Sequence, residues 1–203
     1  MSKPKASVGL VQLVAEEAYS HALEILQLLE LIQQQNRNRI NVHLNQAGAS
    51  QAANTNRNSL ITRLTILVAG CYSPCRKGDK HLRVAFEILR DHPGIRGQIA
   101  AKGDEKGLAE AEKSWNQLLN DDRKKRAVHF RDKFTAHNAE PDPDIPPPQY
   151  DEFFEFASET ASLIEKLALG VGGQGDSLDK RRDEFATSAH RFWEPWETSN
   201  AVS

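Results

Sequence analysis

The chain has 203 residues, of which 39% are hydrophobic and 27% are charged, a balance typical of a folded protein rather than a disordered one. Its formal net charge is −2, from 26 basic and 28 acidic side chains, so any binding of nucleic acid would need a local basic patch. The sequence has two cysteines, no signal peptide and no apolar stretch long enough to span a bilayer. We therefore expect a location in the reducing cytoplasm and no membrane association.

The first half of the chain predicts three helices and one ambiguous stretch, and the helix over 60–72, apolar on most of its circumference, should be the most enclosed of the bundle. Apolar residues recur at helical spacing over residues 8–32, 60–72 and 81–91. Residues 33–58 are rich in Gln, Asn, Ala and Arg, and they fit either a loop or a bent helix. The sequence His92-Pro93-Gly94 should end the third helix.

The second half predicts one long helix over residues 104–137, polar at its start and increasingly basic towards its end. Five prolines between positions 141 and 148 exclude its continuation. Residues 150–169 predict another amphipathic helix, which the Gly-rich stretch 170–175 ends, and residues 179–192 suit one last short helix.

These patterns predict an all-α bundle of four to five helices over residues 1–170, followed by a Gly-rich linker and a mostly flexible tail over 171–203. Strand-like alternation and internal repeats are absent from the sequence, so an α/β enzyme fold is not expected. Trp193 and Trp196 in the tail could bind a partner or fold back on the bundle, and we expect the second.

The end of the long predicted helix carries the chemistry. An α-helix turns about 100° per residue, so Arg131 and His137 should lie about 60° to either side of Phe134, at the edges of an apolar stripe completed by Ala127 and Phe130. If the stripe packs on another helix, the Arg and the His emerge at the rim of a groove between helices or subunits.

Arg131 and His137 suit phosphodiester chemistry. Arg supplies a permanently charged, planar fork for phosphate, and a His that titrates near neutrality can move protons. Two such pairs, facing each other across a dimer axis, could deprotonate the 2′-OH of RNA, protonate the leaving oxygen and stabilise the charge on phosphorus without a metal. Asp132 should point nearly the opposite way and orient a neighbour. The alternative interpretation is that either side chain simply interacts with the helix C-terminus.

The segment Arg131 to Asn138 resembles the ribonuclease signature of HEPN domains (higher eukaryotes and prokaryotes nucleotide-binding). In this segment an Arg and an Asp are followed by four residues and a His. With the helix at 60–68 and the sequence KHLRV at 80–84, it is similar to the AbiU-like branch of abortive-infection proteins. The resemblance implies a helical bundle, often a homodimer, in which Arg131 and His137 form the ribonuclease pair and Asp132 is an accessory polar residue. Ala139 stands where toxins paired with a nucleotidyltransferase antitoxin carry a Tyr, so regulation through that Tyr is not expected.

A basic cluster precedes the motif, and it could hold the RNA backbone or form only a solvated charged face. The candidate RNA-binding residues are Arg123, Lys124, Lys125, Arg126, Lys133 and Asn138. The spacing of Cys71 and Cys75 from the downstream histidines fits no common zinc pattern, so we expect neither a metal nor a cofactor.

Three functions remain open at this point. The leading hypothesis is a metal-independent endoribonuclease of phage-defence or toxin type, acting on RNA as a homodimer with a composite site. An antitoxin or a regulatory protein would be a further partner. The alternatives are a catalytically inactive HEPN-like bundle that binds RNA, nucleotide or protein, and a purely structural helical module.

Overall fold

The computed structural model describes residues 6–76, 79–136, 140–173 and 176–197, and for residues 134–136 it describes the backbone alone. The described residues form nine α-helices and one π-helical turn, and none of them is in a strand. The elements are α1 (Val8–Gln35), α2 (Asn38–Gln46), α3 (Ser50–Cys71), α4 (Leu82–Asp91), α5 (Pro93–Ala100), α6 (Glu105–Leu119), α7 (Asp122–Phe130), the π turn (Arg131–Ala136), α8 (Tyr150–Gly170) and α9 (Leu178–Glu197).

The all-helical fold is confirmed, but the described residues contain more helices than the four to five predicted. The predicted long helix 104–137 breaks after Asn120, because Asp121 adopts an extended backbone and its carboxylate accepts a hydrogen bond of 2.7 Å from the backbone N–H of Arg123. Helix α4 ends at Asp91, so the prediction that His92-Pro93-Gly94 ends this helix is confirmed. Pro93 also begins α5, in the first turn, where its missing N–H has no partner within the helix to lose.

The ambiguous stretch 33–58 is neither a loop nor one bent helix. It contains α2 and the first turns of α3, and Gly48 joins them with a φ of 70°, a left-handed conformation that glycine adopts without strain. The side chain of Gln35 donates to the carbonyl of Ala53 at 2.6 Å and so fixes α3 against the end of α1.

Helix α1 lies at the centre of the bundle. Ser7 caps it by accepting a hydrogen bond of 3.1 Å from the backbone N–H of Leu10. Its apolar face is buried over most of its 28 residues and packs against α3, α4, α8 and α9. The buried residues of α1 are Val11, Val14, Ala15, Ala18, Ala22, Ile25, Leu26, Leu28, Leu29, Ile32, Gln34 and Gln35.

Two glycines allow α6 and α8 to meet backbone to backbone. Asp104 caps α6, and its own N–H donates to the carbonyl of Gly170 at 3.3 Å. A Cβ on Gly103 would lie 2.4 Å from the oxygen of Gly170, and a Cβ on Gly170 would lie 2.7 Å from the backbone of Leu108. No larger residue fits at either position while the two helices keep this separation.

The C-terminal segment is part of the folded body. Helix α9 packs against α1 and α2, and Trp193 is buried, with its indole N–H donating to the carbonyl of Leu31 at 3.2 Å. The imidazole of His43 on α2 contacts the carbonyl of Trp196 at 2.5 Å. For residues 178–197 the prediction of a mostly flexible tail is therefore wrong, and the prediction that the tryptophans fold back is confirmed.

A membrane-spanning helix was not predicted, and within the described ranges every helix is too short or too polar to cross a bilayer.

Candidate functional site

A groove of about 990 Å³ lies between α1, the end of α3, the start of α4 and the π turn. Five cationic side chains line it against two acidic ones, and Glu24 and Glu17 pair with two of these cations from outside the lining. The groove therefore keeps a small excess of positive charge although the whole chain is slightly acidic. The titratable side chains that line the groove are Arg63, Arg76, Lys80, Arg131, Lys133, His21, His81, Asp79 and Asp132.

Arg131 is held in place from two sides. Its Nε and Nη2 atoms lie 2.7 and 2.6 Å from Oδ1 of Asp132, and its Nη1 donates to the hydroxyl of Ser73 at 2.6 Å. The side chain is 18% exposed, so it is largely buried but reachable from the groove. These contacts use three of the five guanidinium N–H donors, and no other described residue uses the remaining two, which suit a ligand such as phosphate.

The Ser73 contact connects Arg131 to the hydrophobic core. Tyr72, the preceding residue, is buried, and its hydroxyl hydrogen-bonds to Thr160 on α8 at 2.9 Å. The Tyr72 ring stacks on Trp115 with centroids 5.5 Å apart. Since the neighbouring residue is fixed in this way, the end of α3 presents the Ser73 oxygen at a defined position, and the guanidinium gains a preorganised orientation.

The π turn changes the geometry expected for the motif. Residues 131–136 form a wider turn than an α-helix, so the spacing of about 100° per residue does not apply to them. Asp132 lines the same groove as Arg131 and contacts its guanidinium directly. The prediction that Asp132 points away from Arg131 is therefore wrong, although a contact of this kind is the one expected of a residue that orients its neighbour.

Part of the motif lies outside the described residues, namely His137, Asn138 and the side chain of Phe134. Of the rest of the predicted apolar stripe, Ala127 is fully buried in the bundle's own core and Phe130 is half-buried. The stripe is therefore only partly available to another subunit.

Arg123, a candidate RNA-binding residue, is bound to carboxylates instead of lying in the groove. It contacts Asp121 at 2.7 Å, Glu155 at 3.1 Å and Glu159 at 2.8 Å, and it lies over the ring of Phe156 at 5.6 Å. The hydrogen bond with Asp121 raises the pKa of Arg123 and lowers that of Asp121. Arg123 therefore joins α7 to α8, and its charge is largely compensated.

The other three residues of the basic cluster also lie outside the groove lining. Arg126 pairs with Glu152 of α8 at 2.7 Å, and the ammonium of Lys124 donates to the backbone carbonyl of Leu119. Lys125 is exposed. The sequence showed the four cations together but not the acidic side chains that α8 brings against the two arginines.

The groove contains residues that the motif did not predict. Arg63 of α3 forms a two-pronged contact with Glu24 of α1, at 2.6 and 2.8 Å, and its hydrogen bonds hold the pKa of that carboxyl below its usual value. The Nε2 atom of His81 lies 3.3 Å from Oδ2 of Asp79. Apart from the KHLRV sequence that contributes to the family resemblance, nothing in the linear pattern marks these residues.

The two cysteines lie at the end of α3 and just beyond it. Cys71 is buried, which raises the pKa of its thiol to about 12, and the half-buried thiol of Cys75 has a pKa raised to about 11 by desolvation and by the nearby Glu87. Over the described part of the chain, His, Cys, Asp and Glu side chains form no group of three that could hold a metal ion.

Comparison with protein-family models, with curated proteins and with solved structures gives no match to this chain. The features of this chain that bear on function are therefore Arg131, the contacts that position it and the charge of the groove.

Proposed function

We propose that the protein is a metal-independent endoribonuclease of HEPN type, resembling the AbiU-like proteins and acting in phage defence or as a toxin. The observation that carries this proposal is the geometry of Arg131. Its guanidinium is oriented by Asp132 and Ser73, has two N–H donors that no described residue uses, and lines a groove with an excess of positive charge. Such a fork suits the phosphodiester of RNA.

In the proposed reaction, Arg131 holds the scissile phosphate and His137 moves a proton. The 2′-oxygen of the ribose attacks phosphorus as its proton is removed, and the bond to the 5′-oxygen breaks as that oxygen gains a proton. The products are a 2′,3′-cyclic phosphate and a 5′-hydroxyl end. A homodimer would supply two Arg/His pairs, one for each proton transfer.

The contacts of Arg131 support a role in the transition state. A guanidinium already oriented by Asp132 and Ser73 needs no rearrangement when negative charge builds on the phosphate oxygens. Lys133 lines the same groove and adds positive charge beside it. A lysine at position 131 would keep the charge but lose the planar fork that meets Asp132, Ser73 and phosphate together.

The test is cleavage of mixed RNA by purified protein in the presence of a chelator. Arg131→Ala and His137→Ala should each lower the rate at least about a hundredfold, and Arg131→Lys should recover little of it. Lys113→Ala, on the exposed face of α6, is the control and should cleave at the wild-type rate. End-group analysis should detect 2′,3′-cyclic phosphate.

Three results would contradict the proposal. The first is activity that survives Arg131→Ala, and the second is activity lost in chelator and restored by a divalent metal. The third is RNA binding without cleavage, which would favour the catalytically inactive binding module. Light scattering that reports a monomer at micromolar concentration would remove the composite-site version alone.

A further inference from the structure

We infer that the RNA backbone follows the connection between α3 and α4, where Arg76 and Lys80 bind phosphates that flank the scissile one, rather than the cluster at 123–126. This inference rests on the proposed function and adds the face of the protein along which the substrate lies. Both residues line the same groove as Arg131, and both are exposed.

Arg76 and Lys133 are cations without a direct carboxylate partner in the described ranges, although the carboxylate of Asp79 lies in the same turn as Arg76. Neither side chain forms an ion pair with a described residue. The backbone N–H of Arg76 donates to Oδ2 of Asp79 at 2.6 Å, which fixes the turn that carries the side chain while the guanidinium stays available. A phosphate can bind such cations without first displacing a carboxylate.

Lys80 is only weakly engaged. Its ammonium lies 3.7 Å from a carboxylate oxygen of Glu17, and both side chains are about half exposed, at 51% and 44%. Water screens such a pair, whose strength is on the order of 1 kcal/mol or less. Arg63, by contrast, is committed to Glu24 through two short hydrogen bonds, so we do not count it among the phosphate ligands.

The start of α4 adds to the positive potential of this wall. Helix α4 begins at Leu82, two residues after Lys80, and its first turn has neither an acidic residue nor a side chain capping its N–H groups. Leu82 itself lines the groove. The positive end of the helix dipole therefore acts in the same direction as the charges of Arg76 and Lys80.

In the cluster at 123–126, the two arginines are paired with carboxylates, and Lys124 and Lys125 lie outside the lining of the groove. Four carboxylates, those of Asp121, Glu152, Glu155 and Glu159, contact Arg123 and Arg126, and their charges oppose a polyanion at that surface. The groove volume of about 990 Å³ is at the upper end of the range for small-molecule pockets, roughly 300 to 1,000 Å³, so the groove has room for more than a single phosphate.

The experiment measures binding of a fluorescent single-stranded RNA whose riboses are all 2′-O-methylated, so that the nucleophile is blocked, across a series of salt concentrations. The test variant is Arg76→Gln/Lys80→Gln. The comparison variant is Lys124→Gln/Lys125→Gln, which changes the net charge equally. Circular dichroism confirms that each variant is folded, and cleavage of unmodified RNA by the wild type is measured alongside.

Log affinity falls as log salt rises, and each phosphate contact contributes about 0.7 to the magnitude of this slope. The loss of two contacts should therefore lower the magnitude of the slope by about 1.4. If wild type and variant bind equally at 1 M salt, this difference in slope makes the affinity of the variant at 0.15 M salt roughly tenfold lower, since 0.15 raised to the power −1.4 is about 14. The Lys124/Lys125 variant should keep the wild-type slope.

An unchanged slope in the Arg76/Lys80 variant overturns the inference, and if the wild type cleaves RNA the proposed function survives that result. If the slope falls as expected but the wild type does not cleave, the phosphate-binding face stands and the ribonuclease proposal fails. A slope lowered only by Lys124→Gln/Lys125→Gln would place the RNA on α7 instead.

Discussion

Gly103→Ala should destabilise the protein, because the new methyl group has no space between α6 and α8. The Cβ would lie 2.4 Å from the oxygen of Gly170, about 1 Å closer than an ordinary contact, and 3.0 Å from the nitrogen of Gly172. Both neighbours are backbone atoms, so no side-chain rotation relieves the overlap. Overpacking of this kind costs about 1 to 3 kcal/mol, and losing the bond from Asp104 to Gly170 adds roughly 0.5 to 1.5 kcal/mol.

The free energy of unfolding should therefore fall by about 1.5 to 4.5 kcal/mol, and Tm by about 3 to 18 °C, since each kcal/mol shifts Tm by roughly 2 to 4 °C at this chain length. Urea denaturation and calorimetry measure both quantities. The matched control is Gly97→Ala in α5, where a Cβ meets nothing within 4 Å. This substitution should raise the free energy of unfolding by about 0.4 to 1 kcal/mol. Opposite signs for the same substitution are expected, and a Gly103→Ala protein at least as stable as the wild type would refute the argument.

Three further predictions concern side chains in the core and near the groove. Tyr72→Phe should lower the free energy of unfolding by about 0.5 to 1.5 kcal/mol in urea, because it removes the buried bond to Thr160, and an unchanged value would contradict this. Asp121 has a pKa lowered by its hydrogen bond to Arg123, so its stabilising effect is complete above the unfolded-state pKa, about 4, and is lost as the pH falls through the lower folded value. Asp121→Asn, which keeps the helix cap, should therefore be less stable than the wild type at pH 7, with a difference that shrinks below pH 4. The Cys75 thiol, with a pKa raised to about 11, should react slowly with iodoacetamide at pH 7.5, and a rate equal to that of free cysteine would count against its burial.

The helical segments could be predicted from the sequence because their apolar residues repeat at helical spacing. The predicted helices correspond to α1, α4 and α8, whose buried faces follow that spacing. The break between α6 and α7 was missed, since the cap at Asp121 is a local hydrogen bond within an otherwise helical, polar run. Helix α2 was left undecided because only Ile40 and Leu44 are buried, and their partner Trp193 is remote in sequence.

For the candidate site, the sequence identified the residue types but not their surroundings. The motif drew attention to Arg131, yet the oxygen that positions it belongs to Ser73, 58 residues earlier in the chain. The charge pattern suggested residues 123–126, but the carboxylates of Glu152, Glu155 and Glu159, which compensate the two arginines among them, come from a different helix. Both facts depend on tertiary contacts, which a linear pattern does not contain.

The central position of α1 has a consequence for how the chain folds during synthesis. Two of the helices that cover its apolar face, α8 and α9, follow it by more than 100 residues. At roughly 5 to 20 residues per second, the ribosome needs roughly 7 to 27 s after completing α1 to reach the end of α8. During that interval α1 can pair with α3, α4 and α5 but not with α8 or α9, and the rest of its apolar stripe is open to chaperones and to other nascent chains. Slow, late closure of the bundle is therefore built into the order of its helices.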